Sequence, residues 1–213
     1  MSEQSNEMPS MSDSLWGMDD KGRRIATGIT ALRTRWHMYI DALDERGVGT
    51  LVCGVLRFSL DGGEWGGRAK HARVTLLPDK SICVTDDGIG LPFEDTNTPW
   101  VRPFTQVNAF APSSELFVVN AFSDRLIVES AQGGWLWRQE FHGDEWSELD
   151  RVGPLGTSGL SVSFWPCALF GVDWDGRVIA DRVEAYASRF DAVSVTVVDE
   201  RFGDRRVLLE YRC

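Results

Sequence analysis

The residues best placed to do chemistry are Asp86-Asp87-Gly88-Ile89-Gly90-Leu91-Pro92, two carboxylates running into two glycines. The stretch ahead of them, Ser81 to Thr85, predicts a strand that Asp86 brings to an end. A carboxylate in that position accepts hydrogen bonds. Glycines at 88 and 90 let a flat ligand approach the backbone and tolerate positive φ. The same residues also describe a plain Asp-Gly turn, which would do no chemistry. Upstream, His37 stands beside Trp36 and close to Tyr39. Imidazole titrates near neutral pH, so His37 is a candidate catalytic or ligand group, and equally a packing residue. Glu64, next to Trp65, is the other catalytic candidate. His71 and His142 are lone, without clustered thiols or carboxylates, and no metal site is expected. Cys53, Cys83, Cys167 and Cys213 form no CxxC pair, which fits a reducing compartment and argues against structural zinc.

The elements that must position these groups follow from periodicity. Ile25, Ile29 and Leu32 predict a helix within Lys21 to Glu45. Gly49 to Phe58 is apolar around Arg57, and its low β-branched content favours a helix. The glycine-rich run from Asp61 to Gly67 must break it. Ala72 to Leu77 and Ser81 to Thr85 predict two strands around Pro78-Asp79-Lys80. Phe93 to Ser114, with three prolines, predicts a long loop holding one short helix. Glu115 to Ser123 predicts a helix. Four strands should follow: Arg125 to Ala131, Gly134 to His142, Gly159 to Trp165, and Val193 to Asp199. Gln132-Gly133 is the hairpin signal between the first two. Asp175 to Phe190 is amphipathic, with Val178, Ile179, Val183, Tyr186 and Phe190 on one face. Val207 to Tyr211 is a last strand. The pattern predicts a two-layer α+β sandwich, a mixed sheet covered by helices on one face.

The chain has 213 residues, 43% of them hydrophobic and 25% charged, with a formal net charge of −10. Such an acidic surface repels phosphate backbones, so direct nucleic-acid binding is not expected. No apolar run approaches the roughly 20 residues of a membrane helix, and no secretory signal is visible. The expectation is a soluble cytoplasmic protein with a flexible tail over residues 1–20 and one domain over 21–213.

Three stretches, in order, resemble the ATP-binding domain of DNA gyrase B and of its counterpart in topoisomerase IV, the GHKL or Bergerat fold. Leu32-Arg33-Thr34-Arg35-Trp36-His37-Met38-Tyr39-Ile40 is similar to the family's VRKRPGMYIG. Val84-Thr85-Asp86-Asp87-Gly88-Ile89-Gly90-Leu91-Pro92 is similar to VxDDGRGIP. Gly156 to Pro166 is similar to TGTxVxFWP. Phe117 to Ser123 matches SVVNALS, and Trp137-Arg138-Gln139 matches HRQ. The resemblance implies that Asp86 accepts a hydrogen bond from an adenine amino group. It also places Gly88, Ile89, Gly90, Pro92, Arg138, Ser158 and Leu160 around a nucleotide. The family's transducer domain is expected to be absent.

The departures point the other way. Ungapped counting from the strand at Ala72 sets Val55 where the family carries its general-base Glu, and Ser59 where it carries the Mg²⁺-binding Asn. A valine can neither take a proton nor orient water, and one hydroxyl is a poor Mg²⁺ ligand. The glycine-rich phosphate lid is replaced by Phe110-Ala111-Pro112-Ser113-Ser114-Glu115-Leu116, with Glu115 beside the expected phosphates. The resemblance therefore implies a degenerate domain without ATP hydrolysis, a ligand-binding or regulatory module. ATP or ADP would bind weakly, with Mg²⁺ not expected. A protein partner or a second copy is a further candidate partner. The other readings are an enzyme using the old cavity for a different small molecule, and an ATPase using a displaced Glu64 or Asp61.

Overall fold

The computed structural model describes residues 16–18, 24–26, 28–61, 69–91, 104–105, 114–171 and 173–213. Glu64, Trp65 and Pro92, and nearly all of the expected 93–114 loop, lie outside the described residues. The first described elements are two paired strands, β1 (Trp16–Met18) and β2 (Arg24–Ala26). β1 falls within the expected 1–20 tail, and β2 occupies part of the helix expected within Lys21 to Glu45. That helix is reduced to α1 (Gly28–Thr34), a single 3-10 turn over Trp36–Met38, and the first residue of α2 (Glu45–Asp61). Ile29, Leu32, Ile40 and Ala42 are all buried, so the apolar stripe is real, but the chain turns between its members.

α2 contains the helix expected over Gly49 to Phe58 and extends it at both ends, stopping at Asp61 where the glycine-rich run begins. Asp44 starts it, its Oδ1 accepting the Arg46 N–H at 2.9 Å. Val48, Val52, Val55, Leu56 and Leu60 are fully buried along one side. Gly49 lets a neighbouring helix come close, since a Cβ there would stand 2.8 Å from Arg182 Cδ. That neighbour is the fourth helix, given below.

Next come β3 (His71–Leu76) and β4 (Ile82–Asp86), then α3 (Ser114–Ala121). They are followed by β5 (Ser123–Gln132), β6 (Trp135–His142), β7 (Glu145–Trp146), β8 (Asp150–Pro154) and β9 (Gly159–Pro166). The β5–β6 hairpin turns at Gly133-Gly134, both at positive φ, one residue later than expected. α4 (Gly176–Ala187) is capped by Asp175, which accepts the Arg177 N–H. β10 (Ser194–Asp199) and β11 (Arg206–Arg212) complete the chain.

Among the described residues nine strands form one mixed sheet, ordered β11-β10-β3-β4-β9-β5-β6-β7, with β8 also on β6. All pairs are antiparallel except β10 with β3, which run parallel with Ser194 opposite His71. Alternation puts Val74, Leu76, Ile82, Val84, Val162 and Phe164 against the helices, at 0–1% exposure. The other sheet face carries Arg73, Thr75, Thr85, Ser161 and Ser163. This is the expected α+β sandwich. No helix among the described residues is long and apolar enough to cross a membrane.

Candidate functional site around Asp86

Asp86 is the last residue of β4 and faces the helix-covered side, in the same parity as Val84. Its Oδ1 accepts two backbone N–H groups, from Gly88 at 2.8 Å and from Leu160 on β9 at 3.2 Å. Oδ2 takes part in neither bond. Burial pushes the Asp86 carboxyl above its usual range, and the adjacent Asp87 charge adds to that. Ser59 and the two N–H groups oppose the rise.

Two glycines hold this geometry. Gly90 sits at φ +78°, and a Cβ there would collide with Ser130 Oγ. Gly159 sits at φ +145°, and a Cβ there would overlap the Asp86 carbonyl oxygen. The loop after Asp86 is fastened from β5, where Ser130 Oγ accepts the Leu91 N–H at 2.8 Å. On the other side of Asp86, Asp87 Oδ1 accepts the Lys70 and His71 N–H groups at 2.8 Å each, and Oδ2 lies 2.6 Å from His71 Nδ1. Burial raises the Asp87 carboxyl, but these hydrogen bonds win and hold it below the usual range.

α2 supplies the wall of the site. Val55 is fully buried and Ser59 is 6% exposed. Ser59 lies near enough to Asp86 to favour its ionised form, yet its hydroxyl is outside hydrogen-bonding geometry with any described partner. The contact places Ser59 opposite the end of β4, where ungapped counting put it. A buried hydroxyl left without a partner is destabilising by about 1–3 kcal/mol, unless a ligand or water completes it.

The sequence-predicted residues divide into two groups. Asp86, Gly88, Gly90, Leu160, Val55 and Ser59 gather around the end of β4. Ile89, at 47% exposure, stands on the rim. Ser158 is exposed just before β9. Arg138 does not join them: strand register sets it opposite Glu129, on the uncovered sheet face, with Nη1 3.8 Å from Glu129 Oε1. His37 is exposed in the 3-10 turn, edge-on to Trp36 with ring centroids 5.9 Å apart. No contact carries it to Asp86. Among the described residues no group of His, Cys, Asp or Glu could hold a metal ion.

Glu115 also departs from expectation. It forms an ion pair with Arg57 Nη1 on the outer side of α2. Residues 57 and 59 point about 200° apart on a helix, so this carboxylate is turned away from Ser59 and is neutralised. Periodicity gave no sign of the pair, nor of the Ser130 fastening, because both join residues far apart in the chain. Arg33, inside the first motif, has a structural role. Its Nε and Nη2 donate to the Ala121 and Ser123 carbonyls at 2.6 and 2.9 Å, capping the end of α3.

No family model matches the chain. Among curated proteins it is 31% identical over 202 residues to DNA gyrase B of Mycobacterium tuberculosis H37Rv, covering 86% of this chain and 30% of that one. DNA gyrase B of Haloferax volcanii is 29% identical over 211 residues, 87% of this chain and 33% of that one. DNA gyrase B of Streptococcus pyogenes serotype M3 is 29% identical over 201 residues, 84% of this chain and 31% of that one. The chain thus spans about a third of the length of these relatives. The similarity, together with the mixed sheet covered by helices on one face, supports a gyrase-B-like domain of the GHKL type.

Proposed function

We propose that this gyrase-B-like GHKL domain binds a flat, amine-bearing heterocycle of the adenine class at Asp86 and does not hydrolyse ATP. The observation that carries the reading is the pairing of a kept acceptor with a missing base. Asp86 is half-buried, anchored through Oδ1, and its Oδ2 takes no part in those two bonds. The α2 wall facing it presents Val55 and Ser59, neither of which can activate water. Arg138 is engaged with Glu129 on the other sheet face, so it adds no phosphate-binding charge beside Asp86. The protein then acts as a binding or regulatory module rather than as a motor.

Isothermal titration with adenosine, ADP and ATP, with and without Mg²⁺, tests this. Binding is expected with little dependence on Mg²⁺ or on phosphate number. Asp86→Ala should weaken it at least about 30-fold, the scale of a charge-assisted hydrogen bond. Because the acceptor must be ionised, affinity should fall as pH drops through the raised carboxyl range. Mg²⁺-dependent ATP turnover that disappears in Asp86→Ala would overturn the non-hydrolytic half of the proposal. Failure of all three ligands to bind would remove the other half.

A further inference from the structure

A second site lies on the opposite side of α2 from Asp86. There α2, α3 and the end of α4 enclose a cavity of about 500 Å³, within the roughly 300–1,000 Å³ range of small-molecule pockets. Leu51, Val118 and Val119 give it an apolar lining. Tyr186 and Phe190 form an aromatic wall, their centroids 5.4 Å apart and their planes tilted by 55°. Helical spacing explains the separation of the two sites. Thr50, Cys53, Gly54 and Arg57 recur on the outer side of α2, while Val52, Val55, Leu56 and Ser59 recur on the inner one.

The charges of the cavity are almost all engaged. Arg57 pairs with Glu115 and lies 4.0 Å from Asp61. Thr50 donates to Asp41 Oδ1 at 2.7 Å, and Asp41 Oδ2 is held by Arg182 at 2.7 Å. Arg189 is the exception. Its guanidinium lies 5.4 Å over the Tyr186 ring, and no carboxylate among the described residues pairs with it. Cys53 is no nucleophile here, because burial pushes its thiol up to about 12. Tyr186 is likewise held in its protonated form by burial. The cavity therefore offers apolar surface, one aromatic wall and one cation without an acidic partner among the described residues.

We propose that this cavity is a binding site for a small aromatic carboxylate, its ring against Tyr186 and Phe190 and its acid group on Arg189. The site does not depend on the Asp86 reading, since the two lie on opposite sides of one helix. The test uses 2-naphthoate and its neutral analogue 2-naphthalenemethanol, followed by amide chemical shifts and titration. Naphthoate should move the signals of Leu51, Val118 and Phe190, and the alcohol should bind at least 10-fold more weakly. Arg189→Gln, at an exposed position, should weaken naphthoate at least 10-fold with an unchanged melting curve. Val118→Trp, which fills the cavity, should abolish binding, and Asp86→Ala should leave it within 2-fold. The proposal is overturned if naphthoate does not bind up to its solubility limit, or if acid and alcohol bind equally. It is also overturned if Arg189→Gln or Val118→Trp has no effect, or if the shifts map to Gly88 and Leu160 instead.

Discussion

Gly159→Ala is expected to destabilise the domain by about 4 kcal/mol, combining positive-φ strain with a backbone overlap. In a protein of this size that lowers the melting temperature by about 8–16 °C. The cause is specific: a Cβ on Gly159 must displace the Asp86 carbonyl, the backbone of the residue at the centre of the site. Gly133→Ala separates the two terms. Gly133 has φ +62° and open space around it, so only the conformational cost of about 1 kcal/mol remains. Denaturant unfolding of both variants measures the difference. Equal losses would show that the contact between β9 and Asp86 yields easily. Because that contact is part of the proposed ligand site, whatever Gly159→Ala retains in stability it should, on that proposal, still lose in nucleotide affinity.

The second large effect is expected at Arg201→Ala. Arg201 and Asp199 are a buried pair, their side chains 11% and 8% exposed. Nε and Nη2 of Arg201 grip the two Asp199 oxygens at 2.9 and 2.7 Å, and Nη1 donates to the Trp174 carbonyl at 2.8 Å. Removing the arginine strands a buried carboxylate and is expected to destabilise by about 3–5 kcal/mol. Replacing both members, as Asp199→Leu with Arg201→Met, should recover more than half of that loss. The pH dependence has a definite sign. The hydrogen bonds from Arg201 hold the Asp199 carboxyl below its ordinary 3.8, against the opposing effect of burial. A depressed acid stabilises fully above its unfolded value, and the stabilisation fades as pH falls through the folded one. The gap between wild type and the double variant should therefore be constant above about pH 5 and close below about pH 4. Urea unfolding at pH 7, 5 and 3 reads it.

Much of the architecture was legible because it is local. The strands β3, β4 and β9 and the apolar stripe of α4 each lie within about a dozen residues of chain. The limits have equally local causes. Ile29, Leu32, Ile40 and Ala42 all reach the core, but periodicity cannot show that the chain reverses at Trp36–Met38 between them. β7 and β8 escaped because Glu145-Trp146 and Asp150 to Pro154 are mostly exposed and carry no apolar alternation. The site was legible only in part. Asp86 and its glycines stand together in sequence, and their strand-end placement is what the structure has. The Ser130 grip on Leu91 and the Arg57–Glu115 pair are products of pairing between distant segments, and no window on the sequence contains both partners. The position of Arg138 on the far sheet face follows from the β5–β6 hairpin, where it faces Glu129 nine residues away, and could have been read from the alternation.

The parallel pairing of β10 with β3 sets the schedule of folding. β3 cannot gain its outer neighbour until residue 199 has been synthesised, more than a hundred residues after β3 itself. At about 5–20 residues per second the wait is on the order of 10 s. During that interval Val74 and Leu76 lie beside an open strand edge, a template for pairing with the wrong chain. Late, long-range closure of this kind also slows refolding in dilute solution. Yield in expression should thus respond to translation speed and to holdase chaperones more than the stability of the finished domain would suggest.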